Sequence, residues 1–284
     1  MHYGGPLIRG NEILFFHDRR KLMKKIEEND VVYFEFENIA AVGLVRHGFS
    51  TRIGGVSRGH FAAMNLGYGR GDDDVNVKEN YRLFCHALGV DVESIAKGSQ
   101  KHTTNIRRAD CPGSIFDNTD GLVTDKPGIT LVTYYADCVP LLLCDPVRGA
   151  IANCHAGWRG TAHNMAGAAV EKMMAEYGSN PKDILVGIGP SIAYQNFEVG
   201  PEVAQTFKNL LPFSAEFVYN SQSKPEKYHI DLWAINRASL MAAGVPKENV
   251  EMAGMCTFDD EAHFYSHRRS GSDRGSLAAF IALK

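Results

Sequence analysis

Three short apolar runs lie close together near the middle of the chain, and they constrain the fold more than any other feature of the sequence. Residues 129–135 are β-branched and aromatic, residues 140–144 are apolar, and residues 150–155 follow a glycine. Runs of this length and composition predict buried β-strands. Because they follow one another through short connections, strict alternation of strands and helices in one sheet is disfavoured. The pattern predicts an α/β fold of the mixed (α+β) kind.

Helices are predicted where apolar residues recur at helical spacing. One such stretch, residues 77–88, ends at Gly89, and another, residues 165–173, ends at Gly178, the residue type that most often terminates a helix. Further segments follow the same rules. They are helices at 201–211 and 232–243 and strands at 184–188 and 276–283.

A single folded domain accounts for most of the 284 residues. No repeat, low-complexity segment or flexible linker divides the chain, and 44% hydrophobic residues suffice for a large core. The most separable part is residues 1–38, which we expect to be an N-terminal appendage to a domain at 39–284. Within it, the charge-rich residues 18–30 are expected to form a short helix before a strand at 31–36.

Charge and hydropathy exclude several classes of partner. The net charge of −3 provides no basic surface for nucleic acid or an anionic membrane. No window of 18 apolar residues occurs, and the start lacks the apolar run of a signal peptide, so we expect a cytoplasmic protein. The six cysteines form no Cys-x-x-Cys pair and are expected to be thiols.

The densest group of chemically active residues surrounds the second and third strands. Cys138 lies at a break between two apolar runs, and His155 closes the strand that begins near residue 150. Gly157 and Gly160 supply a turn into the following helix. Free backbone N–H groups at such a turn, with Arg159 beside them, are able to bind an anion.

Cys138 and His155 support two kinds of chemistry. With a second imidazole they form a donor set that suits zinc, and three protein ligands leave a position open for water. Spacing does not select the third ligand among eleven histidines, but His102 lies in a polar, glycine-flanked stretch and is preferred. The competing interpretation is a nucleophile–base pair of Cys138 and His155.

Other polar residues leave alternatives open. Asp137 either orients a ligand or is a solvated turn residue, and Trp158 is expected to pack in the core. The glycine-rich residues 51–59 form a connection or present Arg52 to an anion. The arginines of residues 266–269, with Arg274 beyond them, are solvated or face an anion from a tight loop.

Seven motifs in order resemble the YfiH-like laccase-domain family, whose members are also described as polyphenol oxidases, purine nucleoside phosphorylases and peptidoglycan editing factors. The resemblance covers about residues 42–281. The pair His-Ala-Gly-Trp-Arg-Gly and Ala-Asp-Cys-x-Pro is highly specific. The motifs are Thr51-Arg52…Gly54-Gly55-Val56-Ser57, Gln100-Lys101-His102, Ala136-Asp137-Cys138-Val139-Pro140, His155-Ala156-Gly157-Trp158-Arg159-Gly160-Thr161, Ile188-Gly189-Pro190-Ser191-Ile192, Phe197-Glu198-Val199-Gly200 and Ser266-His267-Arg268-Arg269.

The resemblance implies a single-domain, layered α/β/β/α arrangement and a set of site residues. By it, His102, Cys138 and His155 hold zinc. Catalysis is assigned to Cys138, His155 and Arg269, and substrate contacts to Arg269, Arg52 and Asn65. Copper is disfavoured, because oxygen reduction by a blue-copper enzyme needs supporting coppers and no His-x-His clusters are present.

The activities that the resemblance implies are phosphorolysis of adenosine, inosine, guanosine or methylthioadenosine, and hydrolytic deamination of adenosine. Arg269 and the helix start after Gly160 are expected to orient phosphate. The alternatives are an amidase that edits a cell-wall precursor (a UDP-MurNAc-amino acid), a copper polyphenol oxidase and a zinc-binding protein without turnover. In the last, Cys256 or His163 would close the coordination shell.

Overall fold

The computed structural model describes residues 23–284. The strands are β1 (Lys24–Glu28), β2 (Val31–Glu35), β3 (Val45–Ser50), β4 (Ile95–Gly98), β5 (Ile106–Arg108), β6 (Ile115–Phe116), β7 (Gly121–Thr124), β8 (Thr130–Tyr135), β9 (Val139–Asp145), β10 (Ala150–Ala156), β11 (Leu185–Ile188), β12 (Glu198–Val199), β13 (Val218–Asn220), β14 (Tyr228–Ile230), β15 (Val250–Met252) and β16 (Leu277–Leu283). The helices are α1 (Glu37–Ala41), α2 (Asp74–Leu88), α3 (Trp158–Ala162), α4 (Met165–Tyr177), α5 (Pro201–Leu210), α6 (Leu232–Ala242) and α7 (His267–Ser270).

The strands form two large sheets and one small one. The first has the order β1-β2-β3-β16-β8-β4-β6, the second β15-β11-β9-β10-β7-β5, and the small sheet β12-β14-β13. The ladders are mixed: β4 runs parallel to β6 and β8, whereas β9, β10 and β7 pair antiparallel. The succession of short, buried strands in the middle of the sequence therefore does build a mixed fold, as predicted.

The two large sheets pack face to face, and helices cover their outer faces. Every residue of β10 is buried: Ile151 faces the other sheet, whereas Ala152 and Cys154 face α4 and α6. On the far side, Phe84 of α2 packs on Phe280 of β16, with ring centroids 4.6 Å apart. The result is the expected single-domain α/β/β/α arrangement.

Two predicted helix ends are confirmed. Gly89 and Gly178 follow α2 and α4 with φ of +73° and +64°, a left-handed conformation that glycine adopts without strain. No helix within residues 23–284 is both long enough and apolar enough to cross a bilayer.

The helix predicted at residues 18–30 is wrong for those of its residues that the structure describes. Residues 18–22 lie outside the described part of the chain, and Lys24–Glu28 form β1, which pairs antiparallel with β2. This segment forms a strand because Ile26 packs on the α2 side of the sheet while its charged neighbours face solvent. Burial and exposure thus alternate between adjacent residues with a period of two, rather than the 3.6 of a helix. β2 in turn pairs with β3 and joins both strands to the first sheet. The boundary at residue 38 stays a prediction, and residues 1–22 of that appendage lie outside the described range.

Candidate metal centre

Two chain crossings between the two large sheets and the end of one strand meet at one end of the molecule. His102 lies in the crossing from β4 to β5, and Cys138 lies in the crossing from β8 to β9. His155 is the penultimate residue of β10, which is hydrogen-bonded to β9 with His155 opposite Pro140. Residues that are distant in sequence therefore meet because each ends or connects a strand at this edge.

The ligand atoms of His102, Cys138 and His155 all lie within 4.8 Å of one another. In a tetrahedral zinc site, bonds of about 2.3 Å to sulfur and about 2.0–2.1 Å to nitrogen place donor atoms roughly 3.3–3.6 Å apart. Side-chain movements of about 1 Å bring the three atoms to those separations. The set therefore fits a metal ion of this size and softness.

Gly157 leaves room for this cluster. A Cβ atom built at residue 157 would lie 2.5 Å from Nδ1 of His102 and 3.2 Å from Sγ of Cys138. The backbone there has φ −65° and ψ 173°, a conformation open to any residue. Glycine is needed here for space next to the two side chains, not for backbone freedom.

Asp120 holds two of the three predicted ligands in place. Its carboxylate accepts a hydrogen bond from Nδ1 of His155 at 2.9 Å and others from the backbone N–H groups of Lys101, His102 and Thr103 at 2.9–3.0 Å. Because Nδ1 is occupied, Nε2 of His155 is left to face the cluster. Asp120 is fully buried, so a single carboxylate determines the position of both histidines.

Electrostatics in this cluster favour a thiolate. Burial by itself would raise the pKa of Cys138, but the nearby imidazoles of His155 and His102 lower it to about 6. Burial would lower the pKa of His155, yet Cys138 and Asp120 raise it to about 9. Burial also opposes ionisation of Asp120, and hydrogen bonds from His155 and the 101–103 backbone keep its pKa well below the usual range. The thiolate is the form that ligates metal.

The backbone at two of these positions is unusual. His102 and Asp137 have φ of +60° and +86°, in a backbone region that residues other than glycine rarely adopt. Of the two alternatives for Asp137, a solvated turn residue is excluded by its burial. Its buried carboxylate accepts hydrogen bonds from Oγ1 of Thr257 at 2.7 Å and from the backbone N–H of Arg268 at 2.6 Å. These bonds hold the turn that presents Cys138.

The cluster opens into a cavity of about 930 Å³. Its lining includes the aromatic residues Trp158 and Phe197 and the cations Arg70, Lys97 and Arg274. Trp158 also packs against the core between the second sheet and its helices, as expected, and its ring lies 4.2 Å from the guanidinium carbon of Arg159. A concave space lined by aromatic and cationic side chains suits a small, partly charged organic substrate.

Two of the predicted substrate residues do not line this cavity. The Nε of Arg52 donates to the carbonyl of Ala62 at 2.8 Å, and its guanidinium lies over the ring of Tyr265 at 4.9 Å. Asn65 is fully buried, and its Oδ1 accepts from the backbone N–H of Ser276 at 2.9 Å. Asn65 supports the wall from behind, because Ser276 itself faces the cavity.

Arg269 is also directed away from the cavity. Its guanidinium donates to the carbonyl oxygens of Thr257, Phe258 and Phe264 at 2.6–2.9 Å, which ties α7 to the 257–264 loop. The bonds of Nη1 and Nη2 to protein carbonyls argue against the substrate contact predicted for Arg269, which stays a prediction. Its neighbours Arg268 and Arg274 line the cavity instead.

Sequence reasoning missed Asp120. It precedes β7 in an Asp-Gly pair, which reads as an ordinary turn. Its role depends on β7 lying beside β10, which brings Asp120 next to His155. No sequence pattern contains that pairing.

The described residues supply three protein donors to the cluster. Among residues 23–284, no further Cys, His, Asp or Glu belongs to it. Sγ of Cys256 is engaged by the backbone N–H of Ala193 at 3.3 Å, and His163 caps the end of α3. The arrangement is that of an open site, the kind that catalytic zinc centres have.

Comparison with known proteins places these features in context. The sequence model of the family described as "Multi-copper polyphenol oxidoreductase laccase" matches residues 46–284. A purine nucleoside phosphorylase from Deinococcus radiodurans is 39% identical over 84% of this chain and 89% of its own length. An adenosine deaminase from an unknown prokaryotic organism is 36% identical over 83% of this chain and 93% of its own length.

The fold has a close counterpart among solved structures. The crystal structure of YlmD from Geobacillus stearothermophilus superimposes with a TM-score of 0.85 at 32% identity. The match covers 93% of this chain and 99% of that one. The similarity therefore includes both large sheets and the crossings that carry the cluster.

Proposed function

The chain belongs to the multi-copper polyphenol oxidoreductase laccase family, and we propose that it is a zinc-dependent purine nucleoside phosphorylase that also deaminates adenosine. The observation that carries the proposal is the three-donor cluster of His102, Cys138 and His155 at the wall of a large cavity. The names of the relatives, which include purine nucleoside phosphorylases and an adenosine deaminase, supply the class of substrate.

Zinc is favoured over copper by the donor set and by the number of clusters. Two imidazoles and one thiolate suit zinc, and three protein ligands leave a coordination position for water or substrate. Oxygen reduction by a multicopper oxidase requires additional copper ions. Among the described residues, His102, Cys138 and His155 form the sole group of this kind.

The cavity matches the chemistry of a purine nucleoside. A planar base is expected to lie against the aromatic side chains of Trp158 and Phe197, where stacking excludes water. The sugar then lies between the base and the cationic wall. When bound, zinc would supply Lewis acidity that brings the pKa of water down to about 7 and so provides a nucleophile at neutral pH.

The protein residues have positioning roles. Asp120 holds Nδ1 of His155 and the backbone around His102, so the two imidazoles are presented at a constant separation. Asp137 holds the turn before Cys138 through Thr257 and the start of α7. Preorganisation of this kind keeps the reacting groups aligned without rearrangement during the reaction.

Each proposed reaction has a defined balance. In phosphorolysis, a phosphate oxygen bonds to C1′ of the ribose as the glycosidic C–N bond breaks, its electron pair leaves with the base, and the base takes up a proton. In deamination, water adds at C6 of adenine and ammonia leaves, which yields inosine. The two reactions are separable, because only the first consumes phosphate.

The test is incubation of the purified protein with adenosine in phosphate and in an inert buffer, with separation of inosine, adenine and ribose phosphate. We expect adenine and ribose phosphate only with phosphate, and inosine in both buffers. Cys138→Ala and His155→Ala should lose zinc and both activities while remaining folded. Cys111→Ala and His86→Ala, which change exposed residues outside the cluster, are the matched controls.

Metal analysis and substrate assays also define the results that would contradict the proposal. A protein purified without zinc, or a Cys138→Ala variant that keeps its metal, would rule out the assigned ligands. If the zinc-loaded protein turns over none of adenosine, inosine, guanosine and methylthioadenosine, the proposed substrate class is ruled out.

A further inference from the structure

Arg274 differs from the other arginines of its loop. Arg268 donates to the carbonyls of Asn196 and Glu198 at 2.9 and 3.0 Å, and Arg269 is held by three carbonyls. Arg274 is only 8% exposed, and the one hydrogen bond recorded for its side chain within residues 23–284 joins Nη1 to the carbonyl of Gly275. The buried Nε atoms of Arg269 and Arg274 both lack a hydrogen-bond partner in that range, so the difference lies in the Nη atoms, which make three bonds in Arg269 and one in Arg274.

A buried guanidinium with a single recorded hydrogen bond is unusual because removing its donors from water is costly. Arg274 nevertheless lines the cavity that contains His102, Cys138 and His155. Burial lowers the pKa of Arg274 to about 10, and repulsion by Arg70 adds to this effect, while Asp137 and Cys138 act in the opposite direction. The group is therefore held in the wall without a full complement of protein partners.

Two further cations face the same space. Arg70 is exposed and lines the cavity, and Lys97 is half-buried with its Nζ 5.2 Å from the ring centre of Tyr68. The loop that carries Arg70 is pressed against the start of β16, because a Cβ on Gly67 would lie 2.5 Å from Oγ of Ser276. This contact brings the segment of Arg70 beside that of Arg274.

We propose that Arg274, assisted by Arg70 and Lys97, binds the inorganic phosphate that attacks the ribose of the bound nucleoside. This inference rests on the proposed phosphorylase function and names the residues that hold its second substrate. A guanidinium binds a phosphate through two parallel N–H···O bonds, which orients the attacking oxygen. Arg274 thus takes the role that the sequence suggested for Arg269.

The experiment compares the zinc-loaded wild type with Arg274→Gln, Arg70→Gln and the control Arg82→Gln. Arg82 is an exposed arginine on α2 that pairs with Glu79 outside the cavity. Three quantities are measured: the Kd of inorganic phosphate by calorimetry, the KM of phosphate in phosphorolysis, and kcat/KM of adenosine deamination without phosphate. Zinc content is determined for each variant.

We expect Arg274→Gln to raise the Kd and KM of phosphate roughly tenfold or more, since a charge-assisted hydrogen bond of this kind is lost. The kcat/KM of adenosine deamination should change by a smaller factor than the two phosphate constants, because deamination uses no phosphate, and zinc content should not change. Arg70→Gln should raise the same two constants by a smaller factor, and Arg82→Gln should match wild type.

The outcomes separate this inference from the proposed function. Phosphate constants within twofold of wild type in Arg274→Gln would overturn the subsite even if phosphorolysis is present. Phosphate binding that depends on Arg274 in a protein without phosphorolysis would keep the subsite and reject the function. If Arg274→Gln does not fold, unchanged phosphate constants in Arg70→Gln would decide against the subsite, and raised ones would support it.

Discussion

Replacing Gly157 by alanine should abolish metal binding without unfolding the protein. The backbone at residue 157 is extended with negative φ, so alanine fits the local conformation. The added methyl group would lie 2.5 Å from Nδ1 of His102 and 3.2 Å from Sγ of Cys138. Since His102 is exposed and lies in a loop, its imidazole is the group that moves.

The size of the movement follows from these contacts. An ordinary van der Waals contact begins near 3.4 Å, so the His102 ring must retreat by about 0.9 Å to relieve a contact of 2.5 Å. Metal–ligand distances tolerate only about 0.2 Å of deviation. One of three protein ligands is therefore displaced beyond bonding range. We expect metal affinity to fall by more than the roughly 10- to 100-fold that loss of an outer-shell partner costs.

Stability should respond differently from metal affinity. In the metal-free protein, alanine reduces the freedom of the unfolded chain by about 0.4–1 kcal/mol, which offsets part of the strain.

The assay is a competition titration with a chelator, combined with the thiolate-to-metal absorption of the cobalt-substituted protein. Gly160→Ala is the control, because its added Cβ would come no closer than 3.3 Å to any atom and contacts none of the three donors. Wild-type metal affinity in Gly157→Ala would refute the reasoning.

Three further predictions concern single residues. Asp120→Asn should weaken metal binding by roughly 10- to 100-fold, because the partner that orients His155 loses its charge; unchanged affinity in the chelator titration would argue against that role. Arg269→Ala should lower the free energy of unfolding by roughly 2 kcal/mol through loss of its carbonyl partners, with no change in the nucleoside KM; a raised KM at wild-type stability would return Arg269 to the substrate site. His47 is buried, and burial lowers its pKa from 6.5 to about 4. Between these two values the unfolded state binds more protons than the folded state, so stability is lost as pH falls. Urea unfolding should therefore show that His47 contributes about 2 kcal/mol less stability at pH 5 than at pH 7, and this difference should disappear in His47→Gln.

The mixed α/β class was within reach of the sequence because its signals are local, whereas the layered arrangement was implied only by the family resemblance. The apolar runs at β8, β9 and β10 and the glycines that end α2 and α4 report burial and chain termination at the positions where they occur. A helix is predicted in place of β1 for a related reason. Its charged residues resemble a solvated helix until Ile26 is seen to pack on the sheet formed with β2.

The motifs around His102, Cys138 and His155 identified residues with metal-binding chemistry from their types and order. The arginines show the limit of such reasoning, since Arg269 and Arg274 are both cationic members of one loop. Only the three-dimensional contacts separate them: Arg269 donates to three carbonyls, whereas Arg274 donates to one and lines the cavity.

What the sequence alone determined is therefore the kind of chemistry and the class of fold, because residue type and local periodicity carry both. The tertiary structure decided which side chains share a space. Asp120 reaches His155 only because β7 pairs with β10, and the three donors meet only because two crossings between the sheets and the end of β10 lie at one edge. Contacts of this kind arise from strand pairing across the whole chain, and no local pattern encodes the pairing.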